Sequence, residues 1–400
     1  MRLQYPTAVA ENQPPNKHRM NPELSSFAAR LRDLIASEGR VIAQPRFGRV
    51  PDSEGYFSPE TFNSLALEMF ALQYQHNPAY QKICQARQRT PANVHHWAQI
   101  PFVPTSVFKD LELSSIPASE RTAVFHSSGT TEQKPSRHFH CAESLAVYEA
   151  SLWHWFQPRF DLQNRFVCLT PDSSAAPRSS LVHMFETVKR HAGGAGEGAA
   201  RFFGHIAPDG SWRLDFAEVT QALNKAIAEN APVTILGTAF SFVHLLDFLA
   251  ENNLQFQLAQ GSRVMETGGY KNRSRTMPKA GLHQLITKYL GIPDDQILRE
   301  YGMSELSSQA YDGELYPPSS ILHPPVFKFP PWARVQITSP ENGREVAGGQ
   351  TGLIRIFDLA NVFSVEAIQT EDLAVRNAEG FELLGRAQLA EPRGCSLMTA

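Results

Sequence analysis

The sequence is poor in several features that would directly indicate one class of protein. It holds only four cysteines in 400 residues, and they form neither a CxxC pair nor a zinc-like spacing: Cys84, Cys141, Cys168 and Cys395. This usage predicts free thiols in a reducing compartment, so we expect a cytoplasmic protein. No apolar run approaches the roughly 20 residues that a membrane-spanning helix needs. The amino terminus also lacks the charged, apolar and small-residue pattern of a signal peptide.

The sequence also lacks a strong excess of either positive or negative charge. The formal net charge is only −3, which gives no electrostatic footprint for nucleic acid or for an anionic membrane. We therefore predict neither nucleic acid nor a membrane span among its partners. A chain of 400 residues is too long for one small core, which predicts two or three packed lobes.

Apolar periodicity divides the chain into four predicted regions. Residues 1–22 are polar and aperiodic, so we expect a mobile leader. Between residues 23 and 310, short apolar runs alternate with amphipathic helical segments, which predicts a mostly parallel sheet covered by helices. Between residues 311 and 386 the helical period disappears and proline is dense, which predicts a smaller β-rich lobe. Residues 387–400 form the predicted carboxy-terminal tail.

The alternation is clear enough to place individual elements. Strands are predicted at Phe166–Leu169, Arg201–Gly204, Val233–Leu236, Arg263–Glu266, Val335–Thr338 and Leu353–Phe357. Helices are predicted near Glu143–Phe156, Ser180–Lys189, Phe216–Glu229 and Phe240–Ala250. A further helix should begin at Ser58-Pro59, where a capping side chain precedes a proline, and should end at Asn77-Pro78.

The first segment with chemical content concentrates hydroxyl groups. Residues 126–136 carry four hydroxyl side chains and a glycine in five consecutive positions, followed by a lysine: Ser127, Ser128, Gly129, Thr130, Thr131 and Lys134. Hydroxyls and closely approaching backbone N–H groups wrap phosphate oxygens well, and lysine supplies a mobile positive charge. The spacing of a Walker A loop is absent. Taken alone, the segment is equally consistent with a Ser/Thr-rich surface loop.

Two further segments combine groups that suit a nucleotide. In residues 299–305, Tyr301 can stack on a purine, Gly302 allows close backbone approach, and Ser304 and Glu305 suit a phosphate and Mg²⁺. In the third segment, Asp372 is placed at a strand end where a carboxylate could accept hydrogen bonds from both ribose hydroxyls. Gly385-Arg386 follows about a dozen residues later. Taken singly, each segment is more ordinary, a strand end with a buried tyrosine or a turn aspartate.

The order and spacing of the three segments resemble the adenylate-forming superfamily of acyl-CoA synthetases, peptide-synthetase adenylation domains and luciferases. The chain is more closely similar to the acyl-protein synthetase (LuxE-type) branch, on the stretches IPFVP, GGYK and RGCSL at residues 100–104, 268–271 and 393–397. The resemblance covers residues from about 101 to the end. It implies an α/β fold, the large amino-terminal domain of that superfamily, with two α/β lobes and a small distorted β-barrel.

The resemblance also implies a role for each motif residue. ATP and Mg²⁺ are the implied cofactors, and the phosphate side comprises Ser127, Ser128, Gly129, Thr130, Thr131 and Lys134 for the β- and γ-phosphates, Ser304 for the α-phosphate and Glu305 for Mg²⁺. The nucleoside side comprises Gly268 and Gly269 lining the adenine and acyl side, Tyr301 with Gly302 at adenine, and Asp372 with Arg386 at the ribose.

Three departures from the superfamily pattern bear on the chemistry. Glu132 stands where glycine is usual, and Ser304 where threonine is usual. Only 14 residues follow Arg386 in the 400-residue sequence, so we expect the mobile carboxy-terminal domain, which normally brings in a catalytic lysine, to be absent. Lys134 or Lys271 is the candidate replacement.

These implications predict an ATP-dependent acid–thiol ligase, in which a fatty or aromatic carboxylic acid becomes an acyl-AMP and is passed to a thiol. The branch resemblance makes Cys395 the first acceptor, with Arg393 favouring its thiolate. The acceptor beyond it would be an acyl-accepting reductase, a carrier protein or CoA. Two alternatives stay open at this point. One is a ligase that loads CoA or a carrier protein directly with Cys395 idle, and the other is an inactive nucleotide-binding scaffold.

Overall fold

The first three helices begin where the sequence supplies a capping side chain followed by proline. The computed structural model describes residues 20–43, 55–127, 134–192, 200–268, 279–313, 326–377 and 380–387. Its α-helices are α1 (Pro22–Ile42), α2 (Pro59–His76), α3 (Pro78–Ala86), α4 (Val107–Asp110), α5 (Ala142–Phe156), α6 (Ser180–Ala192), α7 (Phe216–Ala228), α8 (Ala239–Glu251) and α9 (Lys279–Leu290). The Ser58 side chain accepts from the Thr61 N–H, as predicted, and Asn77 caps α3 directly after α2 ends.

A largely parallel sheet forms the centre of the fold. The strands of the described residues are β1 (Val103–Pro104), β2 (Ala123–His126), β3 (Arg137–His140), β4 (Arg165–Cys168), β5 (Ala200–Phe202), β6 (Gly204–Ile206), β7 (Trp212–Leu214), β8 (Val233–Thr238), β9 (Arg263–Thr267), β10 (Ile297–Tyr301), β11 (Ala310–Tyr311), β12 (Ala333–Thr338), β13 (Thr351–Asp358), β14 (Ala367–Asn377) and β15 (Gly380–Arg386). Six of them pair in the order β11-β10-β9-β8-β4-β5, parallel except between β10 and β11. The predicted strand–helix alternation is confirmed.

Both faces of this sheet are covered, which explains why its strands contain consecutive apolar residues. Val264 of β9 packs into a cluster formed with α7, α8 and α9. Its neighbour Met265 packs on the opposite face into the main core, which includes residues of α1, α2 and α5. Successive side chains of a strand point to opposite faces, so a strand buried on both faces is an apolar run rather than an alternating one.

A second sheet combines β1 with the strands that follow the central sheet in sequence. Its order is β1-β14-β13-β12, and β15 also pairs with β14. One edge of β14 is therefore shared between β1, at Ile368 and Gln369, and β15, from Asp372 onward. The predicted β-rich character is confirmed, and where a small distorted β-barrel was expected the five strands form an open sheet among the described residues. A register shift between Leu373 and Ala374 interrupts the regular pairing of β14 with β15.

Isolated bridges join the two sheets. Phe327 pairs with Phe381 of β15, and Lys328 pairs with Tyr311 of β11. The edge of the central sheet is thereby fastened to the second sheet. Within the described residues, no helix has both the length and the apolar character required to span a membrane.

Candidate active site

The stem of the hydroxyl-rich loop is a two-stranded sheet formed by β2 and β3. His126 and Arg137 are paired residues at the end of this sheet. Beyond it, the Ser136 N–H donates to Ser127 Oγ at 3.0 Å, which holds the two ends of the loop together. Ser128, Gly129, Thr130 and Thr131, with Glu132, lie outside the described residues. The structure therefore fixes where the predicted phosphate loop begins and ends.

The segment around Ser304 docks directly on this stem. Ser304 Oγ donates to the His126 carbonyl at 3.0 Å, and His138 Nδ1 is 2.8 Å from the Ser304 carbonyl. A carbonyl only accepts, so Nδ1 carries the proton. Burial lowers the pKa of His138 to about 4, which keeps the imidazole neutral. Two of the three predicted motifs thus meet at the His126 peptide.

The same peptide holds a third segment, which the sequence did not point to. The His126 N–H donates to the Arg178 carbonyl at 2.9 Å. Burial and then the positive charge of Arg178 lower the pKa of His126, so the guanidinium lies close enough to act on the imidazole. Arg178 is exposed and forms no ion pair with any described carboxylate. Lys134, by contrast, lies 3.8 Å from Asp110 Oδ1, with 57% of its side chain exposed.

A hydrogen bond joins the predicted adenine motif to the predicted ribose motif. Tyr301 OH donates to Asp372 Oδ2 at 2.8 Å. On the other side, Arg386 Nε lies 3.9 Å from Asp372 Oδ1. Burial raises the pKa of Asp372, against the Tyr301 hydrogen bond and the Arg386 charge. Asp372 was expected at a strand end. It instead lies within β14, opposite Arg386 and beside the register shift that turns the strand.

The Tyr301 ring is packed among phenylalanines. Its centroid is 6.0, 6.3 and 5.7 Å from those of Phe327, Phe329 and Phe381, at steep interplanar angles. Within the described part of the chain only 7% of Tyr301 is exposed, so little of its ring is available to stack on a purine. The hydrogen bond from the Tyr301 hydroxyl to Asp372 is therefore at least as informative about the role of Tyr301 as the packing of its ring.

Glu305 is a buried carboxylate beside the loop stem. Only 5% of Glu305 is exposed. Burial raises the pKa of Glu305, while the Ser136 side chain and the positive charges of Arg386 and Lys109 oppose the rise. The Asn361 amide donates to the Glu305 carbonyl at 2.9 Å and fixes the backbone. A buried carboxylate of this kind fits a cation.

Glu305 would not hold that cation with a full set of protein ligands. Within the described residues, no three His, Cys, Asp or Glu side chains cluster as a metal site. Mg²⁺ ordinarily binds through one or two carboxylates together with substrate phosphates and water. One buried carboxylate beside the stem of the predicted phosphate loop is consistent with that pattern.

Two glycines mark the carboxyl ends of neighbouring parallel strands. Gly268 directly follows β9 and has φ +74°, with open space where a Cβ would stand. Gly302 directly follows β10, and a Cβ there would lie 2.3 Å from Glu300 Oε1. Ligands of open α/β sheets bind outside the carboxyl ends of the strands, so both glycines lie where a ligand is expected. Gly269 and Lys271 are outside the described residues.

The described cysteines are poor candidates for acyl transfer. Cys84, Cys141 and Cys168 are buried and free. Burial raises the pKa of Cys84 to about 11 and raises that of Cys168 further, so neither forms a thiolate at neutral pH. Cys395 lies outside the described residues.

The fold is similar to that of solved CoA ligases. A 2-hydroxyisobutyryl-CoA ligase in the postadenylation state with 2-HIB-AMP matches with TM-score 0.59 at 13% identity, over 86% of this chain and 73% of that one. An open conformation of the ligase with 2-HIB-AMP and CoA matches with TM-score 0.57 at 14% identity, over 88% of this chain and 83% of that one. At such identities the likeness establishes the fold.

The sequence comparisons establish the family. The model of the acyl-protein synthetase family, LuxE, matches residues 57–400, so the chain belongs to that family. The long-chain-fatty-acid–luciferin-component ligase of Aliivibrio fischeri is 24% identical over 363 residues, which are 85% of this chain and 88% of that protein. The Vibrio harveyi ligase of the same name is 22% identical over 335 residues, 81% and 83% of the two chains. The resemblance stated from the motifs is confirmed.

Proposed function

We propose that the protein activates a carboxylic acid with ATP, forming an acyl-adenylate and pyrophosphate, and then transfers the acyl group to a thiol. The observation that supports this most strongly is the meeting of three distant motifs. Ser304 hydrogen-bonds to His126, directly before the phosphate loop, and Tyr301 hydrogen-bonds to Asp372. One short segment thus joins the groups proposed for phosphate and ribose.

The nucleoside would lie along the ends of β9 and β10. Gly268, with Gly269, and Gly302 would leave room for adenine. Tyr301 would contact the base and also orient Asp372 through its hydroxyl. Asp372 would accept from the ribose hydroxyls, with Arg386 beside it to keep the carboxylate ionised.

The triphosphate would lie over the loop that begins at Ser127. Its hydroxyls and N–H groups, from Ser127 to Thr131, would hold the β- and γ-phosphates, and Ser304 would contact the α-phosphate. Lys134 could leave Asp110 to reach the phosphates, because an exposed ion pair contributes little. Arg178 is a second cation for this region, since its backbone is fastened to His126 and its charge acts there. Lys271 remains a candidate on sequence grounds alone.

Glu305 would hold Mg²⁺ together with phosphate oxygens and water. When bound, the ion would supply positive charge at the phosphates as negative charge builds there. The protein's own contribution is to aim a buried carboxylate at that position and to fix its backbone through Asn361. Preorganised charge of this kind stabilises a transition state because it needs no rearrangement during the reaction.

The chemistry divides into two displacements. In the first, a carboxylate oxygen of the acid bonds to the α-phosphorus, and the bond from that phosphorus to the β-phosphate oxygen breaks, releasing pyrophosphate. In the second, a thiolate bonds to the acyl carbon and AMP leaves with the electron pair of the broken acyl–oxygen bond. The first step turns a poor leaving group into a good one, and positioning supplies much of the acceleration.

Cys395 is proposed as the first acyl acceptor. The described cysteines are buried, and burial raises the pKa of Cys84 and of Cys168. The family match extends over residues 393–397 to the end of the sequence. The thioester would then pass to an acyl-accepting reductase, a carrier protein or CoA. The relatives are named for long-chain fatty acids, so a long-chain fatty acid is the first substrate to test, and an aromatic acid the second.

Acid-dependent exchange of labelled pyrophosphate into ATP tests the activation step. Purified protein is assayed with a panel of saturated fatty acids of increasing length, aromatic acids, and no acid. We expect exchange only when a competent acid is present. Exchange with none of the acids, despite nucleotide binding, would favour the inactive scaffold. Exchange with a strict CoA requirement for product and no covalent intermediate would favour a ligase with Cys395 idle.

A further inference from the structure

Glu300 is a buried carboxyl group between the two strand ends proposed to bind the nucleoside. The residue is 7% exposed. Its partner in the parallel pairing is Thr267 of β9, and Thr267 Oγ1 donates to the Glu300 carboxyl group. Thr267 immediately precedes Gly268, and Glu300 immediately precedes Tyr301. The hydrogen bond between Thr267 and Glu300 therefore links the two strands directly before Gly268 and Tyr301, the proposed nucleoside-binding residues.

Among the described residues, the ionisable groups that act on Glu300 are acidic or neutral. Glu266 of β9 pairs with Arg299 and so lies on the other face of the sheet, from which its negative charge acts on Glu300. Tyr148 of α5 and Tyr311 of β11 lie near enough to respond to the charge of Glu300. Two described basic side chains act on Glu266: His283 Nε2 is 3.9 Å from Glu266 Oε1, and the charge of Glu266 also acts on Lys279. Arg299 forms an ion pair with Asp312. Burial raises the pKa of Glu300 to about 7, against the Thr267 hydrogen bond and with the Glu266 charge adding to the rise.

A protonated Glu300 has an acceptor available. A Cβ on Gly302 would stand 2.3 Å from Glu300 Oε1 and 3.4 Å from Gln309 Cγ, so both side chains lie over Gly302. Gln309 Oε1 is buried and has no hydrogen-bond partner among the described residues. A neutral carboxyl could accept from Thr267 and donate towards Gln309 at once. A carboxylate can only accept, and it would add a second negative charge near that of Glu266.

We propose that Glu300, in its protonated form, is the positioning residue that sets the spacing of Gly268 and Tyr301, so that its ionisation weakens ATP binding. This inference rests on the proposed function, because it concerns the same nucleotide site. Ionisation removes the donor towards Gln309 and places two carboxylates at adjacent strand ends. The end of β10, with Tyr301 and its bond to Asp372, then loses its fixed position.

The variant Glu300→Gln separates this role from a merely structural one. Glutamine keeps the acceptor for Thr267 and an N–H donor for Gln309, but it does not ionise. ATP affinity is measured by calorimetry from pH 6 to pH 9 for the wild type, Glu300→Gln, Thr267→Val and the exposed-site control Glu341→Gln. Calorimetry needs no turnover, so the readout is independent of acid activation.

For the wild type, affinity should be constant below the ionisation and then fall, by at most about tenfold per pH unit for one proton. Glu300→Gln should keep the low-pH affinity across the whole range. Thr267→Val should bind ATP more weakly at every pH, and Glu341→Gln should follow the wild type. A wild-type affinity that does not change with pH, or an equal fall in Glu300→Gln, would overturn the inference. The contrast in ATP affinity would support it even if no acid promoted pyrophosphate exchange, an outcome that would count against the proposed function alone.

Discussion

Removing the Tyr301 hydroxyl tests whether that residue acts through its ring or through Asp372. Tyr301→Phe keeps the ring and its packing against Phe327, Phe329 and Phe381 but deletes the donor to Asp372 Oδ2. A hydrogen bond to a charged group contributes about 1.5–3 kcal/mol. If that bond is what orients the carboxylate for the ribose, ATP affinity should fall by about ten- to a hundredfold.

The matched control is Tyr311→Phe on the adjacent strand. Tyr311 OH is buried and has no hydrogen-bond partner among the described residues. Deleting it should therefore leave stability unchanged or slightly increased, because no partner is orphaned. Both variants are titrated with ATP by calorimetry, and their unfolding is followed by circular dichroism. Full ATP affinity in folded Tyr301→Phe would refute the proposed link between the tyrosine hydroxyl and Asp372 and leave only stacking.

Four further substitutions test the remaining parts of the site. Gly268→Ala forces alanine to φ > 0 and should destabilise the fold by about 1 kcal/mol. The control Gly343→Ala changes a glycine that is also at positive φ with open space around it, so it should destabilise the fold to a similar extent. Only Gly268→Ala should slow acid-dependent exchange. Glu305→Gln should reduce the rate of exchange more than ATP affinity, and exchange at the wild-type rate would make Glu305 a structural residue. Asp372→Ala should weaken ATP binding by well over tenfold, about 2–3 kcal/mol for two charge-assisted bonds, and unchanged calorimetric binding would reject the ribose assignment. Arg178→Ala should slow exchange about tenfold or more if the guanidinium contacts phosphate, whereas a rate equal to the wild type's would remove Arg178 from the site.

Local chemistry made much of the fold predictable from sequence. The strand at Val233 and the helix beginning near Phe240 were predicted because doubly buried strands are short apolar runs and helices show apolar periodicity. Ser58 and Pro59 marked a helix start through capping, which depends on neighbouring residues alone. Such features need no knowledge of distant parts of the chain.

Contacts between distant segments could not be predicted in the same way. Val103 pairs with Ile368, which no local pattern indicates, and this pairing adds β1 to the second sheet. The Tyr301–Asp372 bond joins residues 71 positions apart. Arg178 belongs to no motif, and its backbone bond to His126 joins residues 52 positions apart. The motifs thus predicted which chemical groups are present, whereas the structure shows which of them are in contact.

Transfer of the acyl group to Cys395 is tested most directly by the intact mass of the protein after incubation with ATP, Mg²⁺ and a competent acid. We expect the wild type to gain the mass of the acid less one water, to lose it in neutral hydroxylamine, and to carry it on the peptide containing Cys395. Cys395→Ser should keep acid-dependent pyrophosphate exchange and gain no mass. Equal modification of the wild type and Cys395→Ser, or an unmodified wild type that still exchanges pyrophosphate, would contradict transfer to this thiol.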